Sequence, residues 1–327
     1  MPMRITSDPE SALLTLALVL GLLAYLLRRR GFDQKGKLAE GKDLLLDGAL
    51  KGVLGERKNI FLLAAGAWTL LFLYILVTVL QDTKDFYQGD HFWIDCALLL
   101  GLPYLVWHER LCWLKGEDYP GLAFINGVFF LAMTPFILAS SVAPLEGAIV
   151  YFSSYQTAAF LTMLGYPVES SVVDFAGNDG FLRVNDLYIS TEILMKGQGD
   201  LVIDINLTCS GFPSHVIFFA LALASRKDVR TKATALLAIP LVHFLNILRM
   251  MFLVFVIYED KLGYFTAHDV ISRGAALIAL FVIFAWFFRL LPDVHKDFLS
   301  AMEIHKKHRL KPKKRIPQDT PPGSGSA

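Results

Sequence analysis

Ala233-Thr-Ala-Leu-Leu-Ala-Ile-Pro-Leu-Val-His-Phe-Leu-Asn-Ile-Leu-Arg-Met-Met-Phe-Leu-Val-Phe-Val-Ile-Tyr258 is an apolar run whose single formal charge is Arg249. A bilayer core about 30 Å thick asks for about 20 such residues in a helix. Comparable runs fall at Ala12–Leu27, Ile60–Leu80, Phe92–Trp107, Leu122–Val142, Gly211–Ala224 and Ile271–Leu291. A weaker, more polar run lies at Gly147–Leu164. The pattern predicts an all-α polytopic membrane protein with about seven or eight transmembrane helices. Composition points the same way: 19% of residues are charged, against roughly a quarter in a soluble domain. A net charge of +1 gives no global basic field, so nucleic acid is not an expected partner.

Lys and Arg in the short loops set the orientation. The segment after the first run carries Arg28, Arg29, Arg30, Lys35, Lys37, Lys42, Lys51, Arg57 and Lys58, which places it inside. These charges follow the run, whereas a cleavable signal carries them before it. Gln81–Asp90 is acid-rich and falls outside. Arg110 and Lys115, then Arg226–Lys232, then the basic tail, return inside. Leu122–Val142 must therefore travel outward and Gly211–Ala224 inward. Gly147–Leu164 lies between them and reads as an interfacial or re-entrant helix on the outer face. Eight crossings would put the Arg28–Lys58 segment outside, against its charge.

Tyr166–Thr208 alternates apolar and polar residues at Val172–Phe175, Phe181–Val184 and Leu201–Asn206, with Gly-rich punctuation. Short strands are expected there. The chain thus divides into 1–165, N-terminal transmembrane helices plus the outer interfacial helix; 166–208, an extracytoplasmic β-rich segment; 209–295, a transmembrane core; and 296–327, a basic disordered cytoplasmic tail.

Three polar groups stand out. Cys209 sits where the last strand meets an inward-going helix, in Asn206-Leu-Thr-Cys-Ser-Gly-Phe-Pro-Ser-His215. Gly211 gives backbone freedom and Pro213 suits a first helical turn. The positive end of the helix dipole there favours a thiolate. Arg249 lies about 16 residues into its run, roughly 24 Å along, in the outer third of the core. A charge inside a span costs roughly 2.5–3.5 kcal/mol to insert, which makes it a functional candidate. His268 lies in the outer loop before the last helix. Cysteine, histidine and arginine supply nucleophile, proton shuttle and charge stabiliser for thiol acyl transfer. Asn246, His215 and His243 lie near them. Cys96 and Cys112 read as inert thiols within or near apolar runs. Nothing in the chain calls for a cofactor or a metal.

At these residues the sequence resembles the exosortase/archaeosortase family. The matching elements are Cys209-Ser210-Gly211, then Asn246-Ile247-Leu248-Arg249, then His268 or Arg273 at the opening of a later helix. The resemblance implies a membrane cysteine transpeptidase. Its substrates would be exported proteins bearing a C-terminal signal of motif, transmembrane helix and basic cluster. Cys209 would form a thioester, and a lipid headgroup or another surface amine would resolve it. The third role stays open between His268 and Arg273. Two other readings compete. A transporter or scaffold needs polar groups near mid-membrane on several helices. A lipid phosphatase would use Phe212-Pro-Ser-His215 with Ser225-Arg226.

Overall fold

The computed structural model describes residues 9–31, 57–81, 92–172, 191–195, 201–259, 263 and 266–303. Its helices are α1 (Pro9–Gly31), α2 (Ile60–Gln81), α3 (Phe92–Lys115), α4 (Pro120–Ser141) and α5 (Ala143–Met163). Three short strands follow: β1 (Val168–Val172), β2 (Thr191–Met195) and β3 (Leu201–Ile205). Then come α6 (Phe212–Ala224), α7 (Val229–Ala235) and α8 (Ala238–Tyr258). A π-helical turn, Thr266–Ser272, runs into α9 (Arg273–Leu290), and α10 (Pro292–Met302) closes the described chain.

The protein is an all-α polytopic membrane fold carrying one small sheet. Among the described residues five helical stretches are long and apolar enough to cross a bilayer: Ser11–Arg29, Ile60–Leu80, Pro120–Ser141, Val229–Ile257 and Thr266–Leu290. The other apolar runs do fold as helices but fall short for identifiable reasons. α3 carries Asp95, His108, Glu109 and Arg110, α5 buries Glu146, Ser153, Ser154 and Thr157, and α6 has only 13 residues.

The breaks between helices follow local chemistry. Proline occupies the first turn of α4, α5, α6 and α10, where its missing N–H costs nothing. Val142, extended at φ −103°, alone separates α4 from α5. Asp228 caps α7: its carboxylate accepts from the Thr231 N–H (3.0 Å) and hydroxyl (2.7 Å), and these bonds hold it below the usual carboxylate range.

One end of the bundle gathers the charges. Arg28 is buried and bridges Glu109 and Asp118, each at 2.6 Å. Arg29 donates to the carbonyls of Leu223 and Ser225 at the end of α6. Asp293 accepts from the Ser225 hydroxyl (2.8 Å) and the Arg226 N–H (2.6 Å). α10 lies across the start of α4, where Tyr119 donates to the Ser300 carbonyl at 2.7 Å. A Cβ on Gly121 would stand 2.5 Å from the Ala301 nitrogen, so only glycine permits that approach. This corrects the expected start of the tail: residues 296–302 belong to α10, and 304–327 lie outside the described residues.

The other end carries the antiparallel sheet, in the order β1-β2-β3. Val168, Ile193, Ile203 and Ile205 bury against α5 and against Met250, Leu253 and Val254 of α8. β3 falls within its expected segment, and β1 ends at Val172, where a strand was expected to begin. β2 was not expected. Its Ile193-Leu194-Met195 is a consecutive apolar run rather than an alternating one, and the register shift opposite Ile193 and Leu194 leaves the extra residue, Val202, on β3. Residues 173–175 and Phe181–Val184 lie outside the described residues.

Candidate functional site

Asn206 organises the turn from β3 into α6. Its side-chain oxygen accepts from the N–H groups of Thr208 and Cys209, both at 3.1 Å, and from the Thr208 hydroxyl. The Ser210 hydroxyl donates to the Leu207 carbonyl at 2.6 Å and accepts from the Phe212 N–H at 3.3 Å. Gly211 then takes φ +80°, a left-handed conformation that side chains resist, and α6 begins. Cys209 is half-buried on this elbow, three residues before the helix.

α8 clamps the elbow from the side. The Asn246 amide donates to the Cys209 carbonyl at 2.9 Å. Its side chain also lies over Gly211, where a Cβ would stand 3.0 Å from the Asn246 Cγ. Gly211 is therefore fixed twice, by its dihedral angle and by its neighbour. Arg249 sits one turn further along α8, and its Nε donates to the Ser272 hydroxyl at 2.7 Å. Among the described residues no carboxylate lies within 4 Å of this guanidinium; both ion pairs belong to Arg28.

A cavity of about 410 Å³ opens between α6, α8 and α9. Thr208, Gly211, Ser214, Asn246, Arg249 and Ser272 give it polar edges, and Val242, Leu245, Ala276, Ala279 and Ile283 give it apolar walls. Phe218 of α6 closes with Phe284 and Phe287 of α9 at centroid distances of 4.7 and 5.4 Å, so the two helices meet toward the charged end. The structure thus joins Asn246 and Arg249 to the elbow that bears Cys209, Ser210 and Gly211. His268 lies half-buried in the π-helical turn four residues before Ser272, and Arg273 is exposed directly after it.

The apolar run from Ala233 stays helical through a tightened step at Leu236–Leu237, where both residues keep right-handed helical dihedrals, so α7 and α8 form one stretch, Val229–Ile257. Arg249 lies eight residues before the end of that stretch, about 12 Å from it. α8 continues past it to Tyr258 beside the sheet and α5.

A second polar layer lies one turn deeper; its histidines, His215 and His243, were candidates from the sequence, whereas their contacts with α5 were not foreseen. His243 Nε2 is 2.6 Å from the Gln156 Oε1 of α5, its ring stacks on Phe152, and the His215 ring lies 5.4 Å away. His215 Nε2 is buried and finds no hydrogen-bond partner among the described residues. The Ser153 hydroxyl donates to the Ser210 carbonyl at 3.3 Å, so α5 also touches the elbow. Among the described residues no three His, Cys, Asp or Glu side chains converge as a metal site would require. Ser225 and Arg226 lie at the opposite end of α6 from His215, bonded to Asp293, so no phosphatase-like constellation is assembled.

Over 164 residues the chain is 26% identical to archaeosortase A of Haloferax volcanii, an alignment covering 44% of this chain and 50% of that protein. It therefore spans half the length of that relative. No solved structure matches it. The family model described as transmembrane exosortase (Exosortase_EpsH) matches residues 4–287, so the helical core and the elbow both lie inside the match, and the chain belongs to that family.

Proposed function

We propose that the protein is a membrane cysteine transpeptidase whose nucleophile is Cys209 and whose substrates are exported proteins ending in a motif, a transmembrane helix and a basic cluster. The observation that carries this reading is the clamp on the elbow: Asn246 holds the Cys209 carbonyl, while Arg249, with no carboxylate within 4 Å among the described residues, lines the cavity that Thr208 and Gly211 on either side of Cys209 also line. A fixed cation of this kind suits charge that develops during reaction.

In this mechanism the Cys209 thiolate attacks the scissile carbonyl carbon. Negative charge moves to the carbonyl oxygen, where Arg249 stabilises it. Collapse breaks the C–N bond, and the leaving amine takes a proton from His268. The released product is the helix with its basic end, and the acyl group remains on Cys209 as a thioester. An amine, on a lipid headgroup or another surface molecule, gives up a proton to His268 and attacks the thioester, which restores the thiolate. Histidine can give and then take a proton near neutrality, whereas arginine cannot. The charged end of the bundle faces the cytoplasm and the sheet end faces outward, as the loop charges require.

The test is intact-mass analysis of exported proteins from cells carrying wild-type or Cys209→Ala enzyme. Proteins that keep their C-terminal helix only in the variant are the substrates; an unchanged profile overturns the reading. Cys96→Ala and Cys112→Ala should process normally. Orientation is checked with single cysteines at Lys227 and Gly263 in a background without native thiols, which should label from opposite sides of the membrane.

A further inference from the structure

β3 is an edge strand. One side pairs with β2, and among the described residues the other side carries no strand and makes no backbone-to-backbone bond. Ile203 and Ile205 pack in the cluster that holds Met250, Leu253, Val254 and Val256, so β3 runs beside the half of α8 beyond Arg249. Unpaired backbone N–H and C=O groups at membrane depth are costly and persist only where protein or water satisfies them. An edge of this kind is also the standard template for an added strand.

Its direction is informative. β3 runs toward the elbow and ends four residues before Cys209, and α6 then leads to the charged end. A substrate whose extended segment leads into a transmembrane helix travels the same way. We infer that the free edge of β3 receives the segment preceding the scissile bond as an added parallel strand. Five residues of β3 cover about 16 Å, so the edge reads about five substrate residues and delivers the next bond to Cys209. The substrate's helix then enters beside Pro213 and Ser214, at the cavity wall. Main-chain pairing gives affinity, and alternate side chains give selectivity. The inference rests on the reading of Cys209 as nucleophile.

The experiment uses the full chain in nanodiscs and a synthetic segment-plus-helix peptide from a protein that keeps its C-terminus in Cys209→Ala cells. Each residue before the scissile bond is N-methylated in turn, which removes one backbone donor. The expected result is a period-two pattern: methylation at alternate positions lowers kcat/KM roughly fivefold or more, chiefly through KM, and the positions between are nearly silent. If the unmodified peptide is cleaved but no position responds, or the losses follow no alternation, the inference is overturned and the edge belongs to the chain's own residues 173–190 or 196–200. If the unmodified peptide is not cleaved at all, the nucleophile assignment fails and takes the inference with it.

Discussion

The two ends of the bundle treat arginine in opposite ways. Arg28, at the charged end, is buried between Glu109 and Asp118, with Phe61 stacked 5.1 Å from its guanidinium. Arg249, beside the elbow, has a hydroxyl, a cavity and, among the described residues, no carboxylate within 4 Å. A paired cation is satisfied within the fold and holds α1 to α3. A cation left without its counter-ion keeps its field available to something that arrives later. The difference separates architecture from chemistry more clearly than residue type does.

The comparison breaks most visibly at the nucleophile. Cys209→Ala should abolish processing and change Tm little, since the half-buried thiol, free of any disulfide, only packs at the edge of the apolar cluster beside the sheet. The arginines should then divide. Arg28→Leu leaves Glu109 buried without its partner and should cost about 3–5 kcal/mol, read as a collapse in Tm or in accumulated protein. Arg249→Leu should keep Tm within a degree or two and lose roughly a hundredfold or more in acylation rate. Arg249→Lys should insert normally yet stay strongly impaired, because the planar fork is gone. Equal Tm losses in the two leucine variants would erase the distinction between the ends.

The proton shuttle sharpens the picture next. Single-turnover acylation by His268→Gln should lose most of its rate and change its pH–rate profile. A wild-type profile there, with an inactive Arg273→Gln, reassigns the role to Arg273. The smallest effect expected is at Gly211→Ala, where the left-handed dihedral costs about 1–2 kcal/mol. The added methyl should also push Asn246 off the Cys209 carbonyl. Adding Asn246→Ala should relieve the contact but not the dihedral, so Tm should recover only in part.

Some of this was legible in the sequence because it is local. The elbow announces itself through Gly211 and Pro213 next to Cys209, and the polar face of α8 through the spacing of Asn246 and Arg249. The pairings that organise the rest are remote. His243 finds Gln156 at a separation of 87 residues, and Arg28 finds Glu109 at 81, so Arg28 read as an ordinary loop charge. β2 was missed because Ile193-Leu194-Met195 is consecutively apolar and shows no alternation.

The brevity of α6 has a consequence for the surrounding lipid. Its 13 residues rise about 20 Å, some 10 Å less than an average hydrocarbon core. In the orientation proposed above Arg226 and Lys227 sit at the cytoplasmic headgroups, and either the bilayer puckers inward around this helix or the thiol lies sunken in the outer leaflet. The proposed processing would then depend on membrane thickness. Shorter-chained lipids would bring Cys209 level with the headgroups, and thicker, sterol-like bilayers would bury it further from the substrate segment outside the membrane.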